Sequence, residues 1–216
     1  MLQAIGFDGD DTLWQSETAF AVTFERVRSL LEPHVSWAVL DARLLEVERA
    51  NLELYGYGAK SVTLSLIETA IELAGDRLTI ADVRALLDMG KELLAHPIEL
   101  LPGARACVEA CLDLGVPVLL VTKGDLFHQE SKVARSGFGD LVDAVEVVAE
   151  KDVRTYERVL RRHGVDPRAF CMVGNSLKSD AAPVLDLGGW AVHVPHELTW
   201  ALEHPDDEHV IRASAR

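Results

Sequence analysis

Residues 4–14 read AIGFDGDDTLW, and three carboxylates, Asp8, Asp10 and Asp11, crowd into the turn after a short apolar run. Like charges at that spacing repel, and each makes its neighbour harder to ionise, so such a turn calls for a cation. Polar residues also follow three later apolar runs. Thr122, Lys123 and Gly124 come after VPVLLV, Glu150, Lys151 and Asp152 after AVEVVA, and Gly174, Asn175, Ser176 and Asp180 close the run AFCMV. Carboxylate and amide oxygens suit a hard divalent ion such as Mg²⁺, while hydroxyls, lysines and glycine turns suit the oxygens of a phosphoryl group. The chemistry this set supports is phosphoryl transfer beside a metal ion.

These groups meet only if the runs before them are strands whose carboxyl ends share one edge. From residue 104 the sequence has that rhythm: helix 104–114, strand 116–122, helix 125–136, strand 144–149, helix 152–163, strand 169–174, helix 179–187, strand 190–195. Strands separated by single helices pair in parallel through right-handed crossovers, with helices on both faces. Continuous runs such as PVLLV suit strands covered on both sides. With LQAIGFD as the first strand, the expectation is an α/β fold with a doubly wound, Rossmann-like parallel sheet, its ligands at the carboxyl ends of the strands.

The connection after the first strand is far too long for one crossover. Residues 15–99 carry helical spacing throughout: Phe20, Phe24, Val27 and Leu31 in one stretch, Leu40, Leu44, Val47 and Leu54 in the next. Two further stretches follow, SVTLSLIETAIELAG and TIADVRALLDMGKELLAH, the second opened by Thr79 and Asp82 at capping-box spacing. The chain therefore divides into an α/β core, residues 1–14 and 100–216, and an inserted all-helical domain, residues 15–99. Pro102 and Gly103 punctuate the return. The polar tail HPDDEHVIRASAR reads as a frayed end or an added edge strand.

Composition narrows the partners. At 216 residues and 49% hydrophobic the chain can bury a full core, and its formal net charge of −14 argues against nucleic acid or an anionic membrane, both of which are gripped by clustered Lys and Arg. The N-terminus lacks a basic leader and no apolar run reaches the roughly 18 residues of a membrane span, so the chain reads as cytoplasmic. Cys107, Cys111 and Cys171 have no metal-ligand spacing and read as reduced, buried thiols.

Taken together, DGDDT as DxDxT after a strand, VTKG, Lys151 ahead of a helix and GNSLKSD give the chain four motifs in order, and with them it resembles the haloacid dehalogenase superfamily. The resemblance covers residues 1–14 and 100–195, and the insertion looks like that family's helical C1-type cap. Most members are phosphatases that work through an aspartyl phosphate, so the resemblance implies a Mg²⁺-dependent phosphohydrolase acting on a small phosphorylated metabolite. Carried over by position, Asp8 is the nucleophile, Asp10 the general acid and base, and Lys151 the cation that offsets developing charge. Gly9, Thr122, Lys123 and Gly124 bind the phosphoryl oxygens, although Lys123 and Lys178 by themselves read as surface or rim charges. Asp8, Asp10 through its carbonyl, Asn175 and Asp180 hold the metal. Asn175 departs from the family, which commonly has an acid there; an amide oxygen can still ligate, without a charge.

Within this resemblance Asp8 is expected as the anion and Asp10 as the carboxyl able to carry a proton. Asp11 reads as a turn residue bonding backbone amides, Thr12 as a structural residue orienting Asp10, and Gly9 as room near the phosphate. The cap is expected to act as a lid that sets specificity, with Gln15, Glu17, Tyr55, Tyr57 and Lys60 as candidates. Asp10 favours phosphate esters over a dehalogenase, since halide leaves without a proton. A phosphonate-cleaving relative would need a cap lysine such as Lys60. A signalling receiver lacks so large an insertion, and Asn175 alone feeds a noncatalytic, phosphate- or metal-binding reading.

Overall fold

The computed structural model describes residues 1–204, so the expectation for the tail from Pro205 onward lies outside the described residues. In chain order the elements are β1 (Ala4–Phe7), α1 (Glu17–Leu31), α2 (Trp37–Tyr55), α3 (Ala59–Ala74), α4 (Ile80–Ala95), α5 (Ala104–Asp113) and β2 (Val118–Lys123), followed by α6 (Leu126–Ser136), β3 (Ala144–Val148), α7 (Val153–Arg162), β4 (Phe170–Gly174), α8 (Ala182–Asp186) and β5 (Trp190–His193). They form two compact units, residues 1–17 with 98–204 of the described chain, and residues 18–97.

The first unit is built on one five-stranded sheet in the order β3-β2-β1-β4-β5, every pair parallel. The alternation of side chains along each strand sends its residues to two cores. Ile5, Phe7, Val118 and Leu120 pack with Val108 of α5 and Val133 of α6 on one face, while Ala4, Leu119, Val121 and Met172 pack with Tyr156 and Leu160 of α7 and Val184 of α8 on the other. Strands covered on both faces cannot alternate apolar with polar, which is why β1 and β2 read as continuous apolar runs. At Gly6 a Cβ would stand 2.5 Å from the ring of Phe170, so the central strand has no room for a side chain there.

The order places β1 between β2 and β4, with Phe7 level with Leu120 on one side and Val173 on the other. Asp8, the next residue, emerges in the middle of the carboxyl edge, and its N–H still donates to Val173 O at 2.9 Å. The edge strand β5 is more exposed than its apolar sequence suggests, with the Trp190 side chain largely in solvent. The three cysteines are free, but none is the buried thiol its sequence suggests: Cys107 is exposed, and Cys111 and Cys171 are half-buried.

The second unit is all-helical. Val27 and Leu31 of α1, Leu40 and Leu44 of α2, Val62, Leu66 and Ala70 of α3, and Leu86 and Met89 of α4 make its core, as the helical spacing requires. Thr79 and Asp82 form the capping box: the Asp82 N–H donates to Thr79 Oγ1 at 3.1 Å and the Thr79 N–H to Asp82 Oδ2 at 2.8 Å. No described helix is long and apolar enough to cross a membrane.

Helices α3 and α4 meet at Gly90, where a Cβ would overlap the Thr63 side chain. Thr63 is itself tied down, its hydroxyl donating to Ala59 O at 2.6 Å. Ala is the better helix former by about 1 kcal/mol, yet overpacking costs about 1–3 kcal/mol. Gly90→Ala is therefore expected to lower the urea midpoint, and Thr63→Ala on the same background to recover part of the loss.

Candidate active site

Three local devices bring the strand ends together. Asp152 caps α7, accepting from the Thr155 N–H at 2.7 Å, and so fixes Lys151 just outside the helix. Asp125 caps α6 in the same way through the His128 N–H at 2.9 Å. After β4 the chain does not enter an α-helix at 179 as its sequence suggests. Leu177–Ala181 form a wider π turn in which the amides of both Asp180 and Ala181 reach Ser176 O, and only then does α8 begin, with Pro183 in its first turn. The wider turn lets the Asp180 carboxylate fold back and accept from the Ser176 N–H at 3.0 Å. A Cβ at position 174 would collide with that carboxylate, so Gly174 is required there.

The result is a buried group of charges. The Lys151 ammonium bridges Asp8 Oδ1 and Asp180 Oδ1, the latter at 2.6 Å, and all three residues are buried. Thr12 joins the same group. Its hydroxyl lies 3.4 Å from both Asp8 Oδ2 and Asn175 Oδ1 and accepts the Asn175 N–H at 3.0 Å. This corrects the expectation that Thr12 orients Asp10: the hydroxyl ties the first loop to the fourth. Two carboxylates against one ammonium leave net negative charge in a buried place, and Asn175 Oδ1 adds a neutral oxygen donor. Among the described residues no three His, Cys, Asp or Glu side chains gather as a metal cluster; the oxygen set here is two carboxylates and an amide.

Asp10 points elsewhere. Its Oδ1 accepts from Trp14 Nε1 at 2.6 Å and Lys132 Nζ at 2.6 Å, and its Oδ2 from Gln129 Nε2 at 2.9 Å and Lys132 Nζ at 2.7 Å. Asp11, at a φ of 57°, turns back to accept the Ser16 N–H at 2.8 Å and the Glu17 N–H at 3.1 Å, which is the turn role its sequence suggests. Gly9 does not open space for a phosphate. A Cβ there would lie 2.5 Å from the Trp14 indole, so the space is filled by the ring that holds Asp10.

At the end of β2 the Thr122 hydroxyl is buried with no hydrogen-bond partner, a donor waiting for an acceptor. Its neighbours differ from expectation. The Gly124 N–H already donates to Val148 O at 3.1 Å, so this amide is not open to a phosphoryl oxygen. Lys123 is no rim charge: it is mostly buried and binds Ser179 Oγ at 3.1 Å, Glu150 at 3.1 Å and Glu203 at 2.5 Å. Glu203, on the single turn Ala201–Glu203, also accepts from Ser176 Oγ at 2.9 Å and Ser179 Oγ at 2.6 Å, while Lys178 Nζ donates to Leu202 O at 2.7 Å. The end of the described chain is thus strapped to the loop that carries Asn175. Tyr57, in the turn between α2 and α3, and Lys60, in the first turn of α3, belong to the helical unit.

In the metal-free protein the proton affinities of the two carboxyls run opposite to the order the sequence suggests. Burial pushes Asp8 up to about 7, with Asp180 and Asp10 adding to the rise and Lys151 opposing it. Burial also pushes Asp10 up, but the Lys132 charge and the hydrogen bonds from Gln129, Lys132 and Trp14 outweigh it and leave Asp10 below the usual carboxylate range. The sequence casts Asp10, beside another carboxylate and able to turn toward the leaving group, as the proton carrier. The partners that decide the matter, Lys132 and Gln129, lie on α6, more than a hundred residues from Asp10 in the chain. Their signal is the placing of a Lys and a Gln three residues apart on the face of α6 that also buries Val133.

The model of the hydrolase family described as haloacid dehalogenase-like hydrolase matches residues 2–188. A haloacid dehalogenase-like family hydrolase of known structure from Xanthomonas campestris is 41% identical, with 99% of this chain and 90% of that one covered at a TM-score of 0.85. The L-2-haloacid dehalogenase of Xanthobacter autotrophicus shares the fold at 20% identity and a TM-score of 0.62, covering 100% of this chain and 83% of that one. The glyceraldehyde 3-phosphate phosphatase of Methanothermobacter thermautotrophicus is 34% identical over 87 residues, a stretch that spans 38% of each protein.

The raised Asp8 carboxyl has a consequence for stability. In protein stripped of metal with chelator, the folded state binds a proton on Asp8 that the unfolded state has lost once the pH exceeds 3.8, so stability falls as pH rises from there toward 7. Asn cannot ionise and lacks this loss. Metal-free Asp8→Asn is therefore expected to melt higher than the unsubstituted protein at pH 8, with the gap shrinking as the pH is brought down through 7 toward 5. Thermal melts across that range read it directly.

Proposed function

The chain belongs to the haloacid dehalogenase-like hydrolases, and from that premise we propose that it is a Mg²⁺-dependent phosphohydrolase that cleaves a small phosphorylated metabolite through a phosphoryl group carried on Asp8. The observation that carries this reading is the buried Asp8–Lys151–Asp180 group beside the unpartnered Thr122 hydroxyl. It combines a nucleophile, a cation for developing charge and an open donor for a phosphoryl oxygen. The phosphatase relative, 34% identical over its matched stretch, points the same way.

The residues fit a hard divalent ion. Asp8, Asp180, the Asn175 side-chain oxygen and the Asp10 carbonyl would hold it, and the net negative charge left by two buried carboxylates and one lysine favours it. When bound, Mg²⁺ supplies positive charge that offsets the repulsion between an anionic phosphate and Asp8.

The protein's own residues account for the rest. An Asp8 carboxylate oxygen attacks phosphorus, the ester P–O bond breaks, and Asp10 hands a proton to the departing oxygen. In the free protein Asp10 is an anion, so this proton is taken up with the substrate. Asp10 then removes a proton from the water that attacks phosphorus, and the P–O bond to Asp8 breaks to release inorganic phosphate. Lys151 holds Asp8 in place and balances the charge that builds on the transferred group; Thr122 binds one of its oxygens. A dehalogenase would not need Asp10 as an acid for its leaving group, since halide departs unprotonated.

Hydrolysis of p-nitrophenyl phosphate and a panel of small phosphate esters tests the reading. Turnover is expected with Mg²⁺, to vanish with chelator, and to fall by at least about 10³-fold in Asp8→Asn. Turnover that survives Asp8→Asn would sink the covalent route, and a folded, Mg²⁺-supplied protein that hydrolyses no ester would favour a noncatalytic binding role. Asn175→Asp is expected to lower the Mg²⁺ concentration needed for half-maximal rate, because it adds a charged oxygen ligand.

A further inference from the structure

Asp10 is held more completely than any attacking or proton-passing role by itself requires. A carboxylate offers about four lone-pair directions, and here four contacts fill them, from Trp14, Gln129 and two reaches of Lys132. All three donors are buried, Trp14 fully and Lys132 at 7% exposure. Their geometry is divided. Trp14 fixes Oδ1 and Gln129 fixes Oδ2, which sets the plane of the carboxylate, while Lys132 Nζ spans both oxygens. Gln129 is itself anchored, since its Nε2 also donates to Lys123 O at 2.7 Å. A shift of the ammonium onto one oxygen frees a lone pair on the other without disturbing the plane.

From this geometry we infer that Lys132, with Gln129 and Trp14, is a positioning residue that holds the Asp10 carboxylate as the base for the second half-reaction, release of phosphate from Asp8. The inference rests on the phosphatase reading. In that half-reaction a water O–H bond breaks, its proton goes to the freed Asp10 oxygen, the water oxygen forms a bond to phosphorus, and the phosphorus–Asp8 bond breaks with its electron pair returning to the carboxylate. An aimed anion is what the step needs. The same clamp explains the residues around it: Gly9 is small because the Trp14 ring lies against it, and Gly124 is small because the Gln129 side chain lies 3.0–3.4 Å from its Cβ position.

The test separates the two half-reactions. p-Nitrophenolate is a good leaving group and needs no proton, so kcat/KM for p-nitrophenyl phosphate reports attack by Asp8, while kcat also contains release of phosphate. For Lys132→Met, which keeps the buried stem, kcat is expected to fall about 10²-fold with kcat/KM within about tenfold, so KM falls too. Phosphorylated protein should then accumulate, visible as a burst of p-nitrophenolate and by intact-mass spectrometry. Asp10→Asn is expected to give the same pattern, and Gln129→Leu a milder one, with melting temperature confirming that each variant is folded. Equal losses in kcat and kcat/KM, with no phosphorylated protein, would overturn the positioning role while leaving the phosphatase reading intact. Absence of any turnover by the unsubstituted protein overturns both.

Discussion

One ammonium between two carboxylates governs the α/β unit. Lys151 leaves the end of an outer strand, β3, reaches past the end of β2, and meets Asp8 from the central strand and Asp180 from the turn beyond β4. Each of these ions is buried, and removing the lysine would strand both carboxylates, a loss of about 3–5 kcal/mol. The arrangement holds only if three separate loops end within hydrogen-bond reach of one point. The devices that achieve this are local and inexpensive: a cap at Asp152, a missing side chain at Gly174, and a turn one residue wider than an α-helix at 177–181.

A second constraint is the separation of Asp8 from Asp10. Two residues apart in an extended loop, their side chains leave in different directions, and each finds its own lysine. Asp8 shares Lys151 with another acid and is pushed up; Asp10 has Lys132 to itself, with two further donors, and is held down. The two carboxyls therefore differ in proton affinity through their surroundings alone. Thr12 and Trp14, on the same short loop, serve the two sites in turn, the first binding Asp8 to Asn175 and the second closing over Gly9 onto Asp10.

The parallel sheet was legible because β1, β2 and β4 are covered on both faces and leave unbroken apolar runs, and because Asp8 and Thr122 stand at strand ends with Lys151 and Asp180 in the turns that follow β3 and β4. What stayed hidden lies where sequence distance says nothing about spatial distance. Lys132 and Gln129 sit on a helix face whose partner is 119 to 122 residues away in the chain. Glu203 reaches Lys123 across 80 residues, from just ahead of the polar tail. The π turn reads as helix in the sequence because its period differs from 3.6 by too little to see over five residues. A glycine such as Gly9 marks only the absence of a side chain, and the structure is needed to show that the Trp14 ring takes the space.

Asn175 ties these points together. An acid at that position would put a third carboxylate beside Asp8 and Asp180 with Lys151 as the one ammonium bridging them, and burial already pushes Asp8 upward against its single lysine. The amide removes that repulsion while its oxygen stays in line with Thr12 and Asp8. Its backbone is held from two sides, the N–H by Thr12 Oγ1 at 3.0 Å and the carbonyl by His193 Nε2 at 3.0 Å, and the adjoining Ser176 is gripped by Glu203. A neutral ligand binds a cation less strongly than a charged one, so its value depends on being held in place before the cation arrives. The strap from Glu203 to Ser176, Ser179 and Lys123 holds this loop in the same way, so that in the proposed metal site the Asn175 oxygen would be in place before a cation binds.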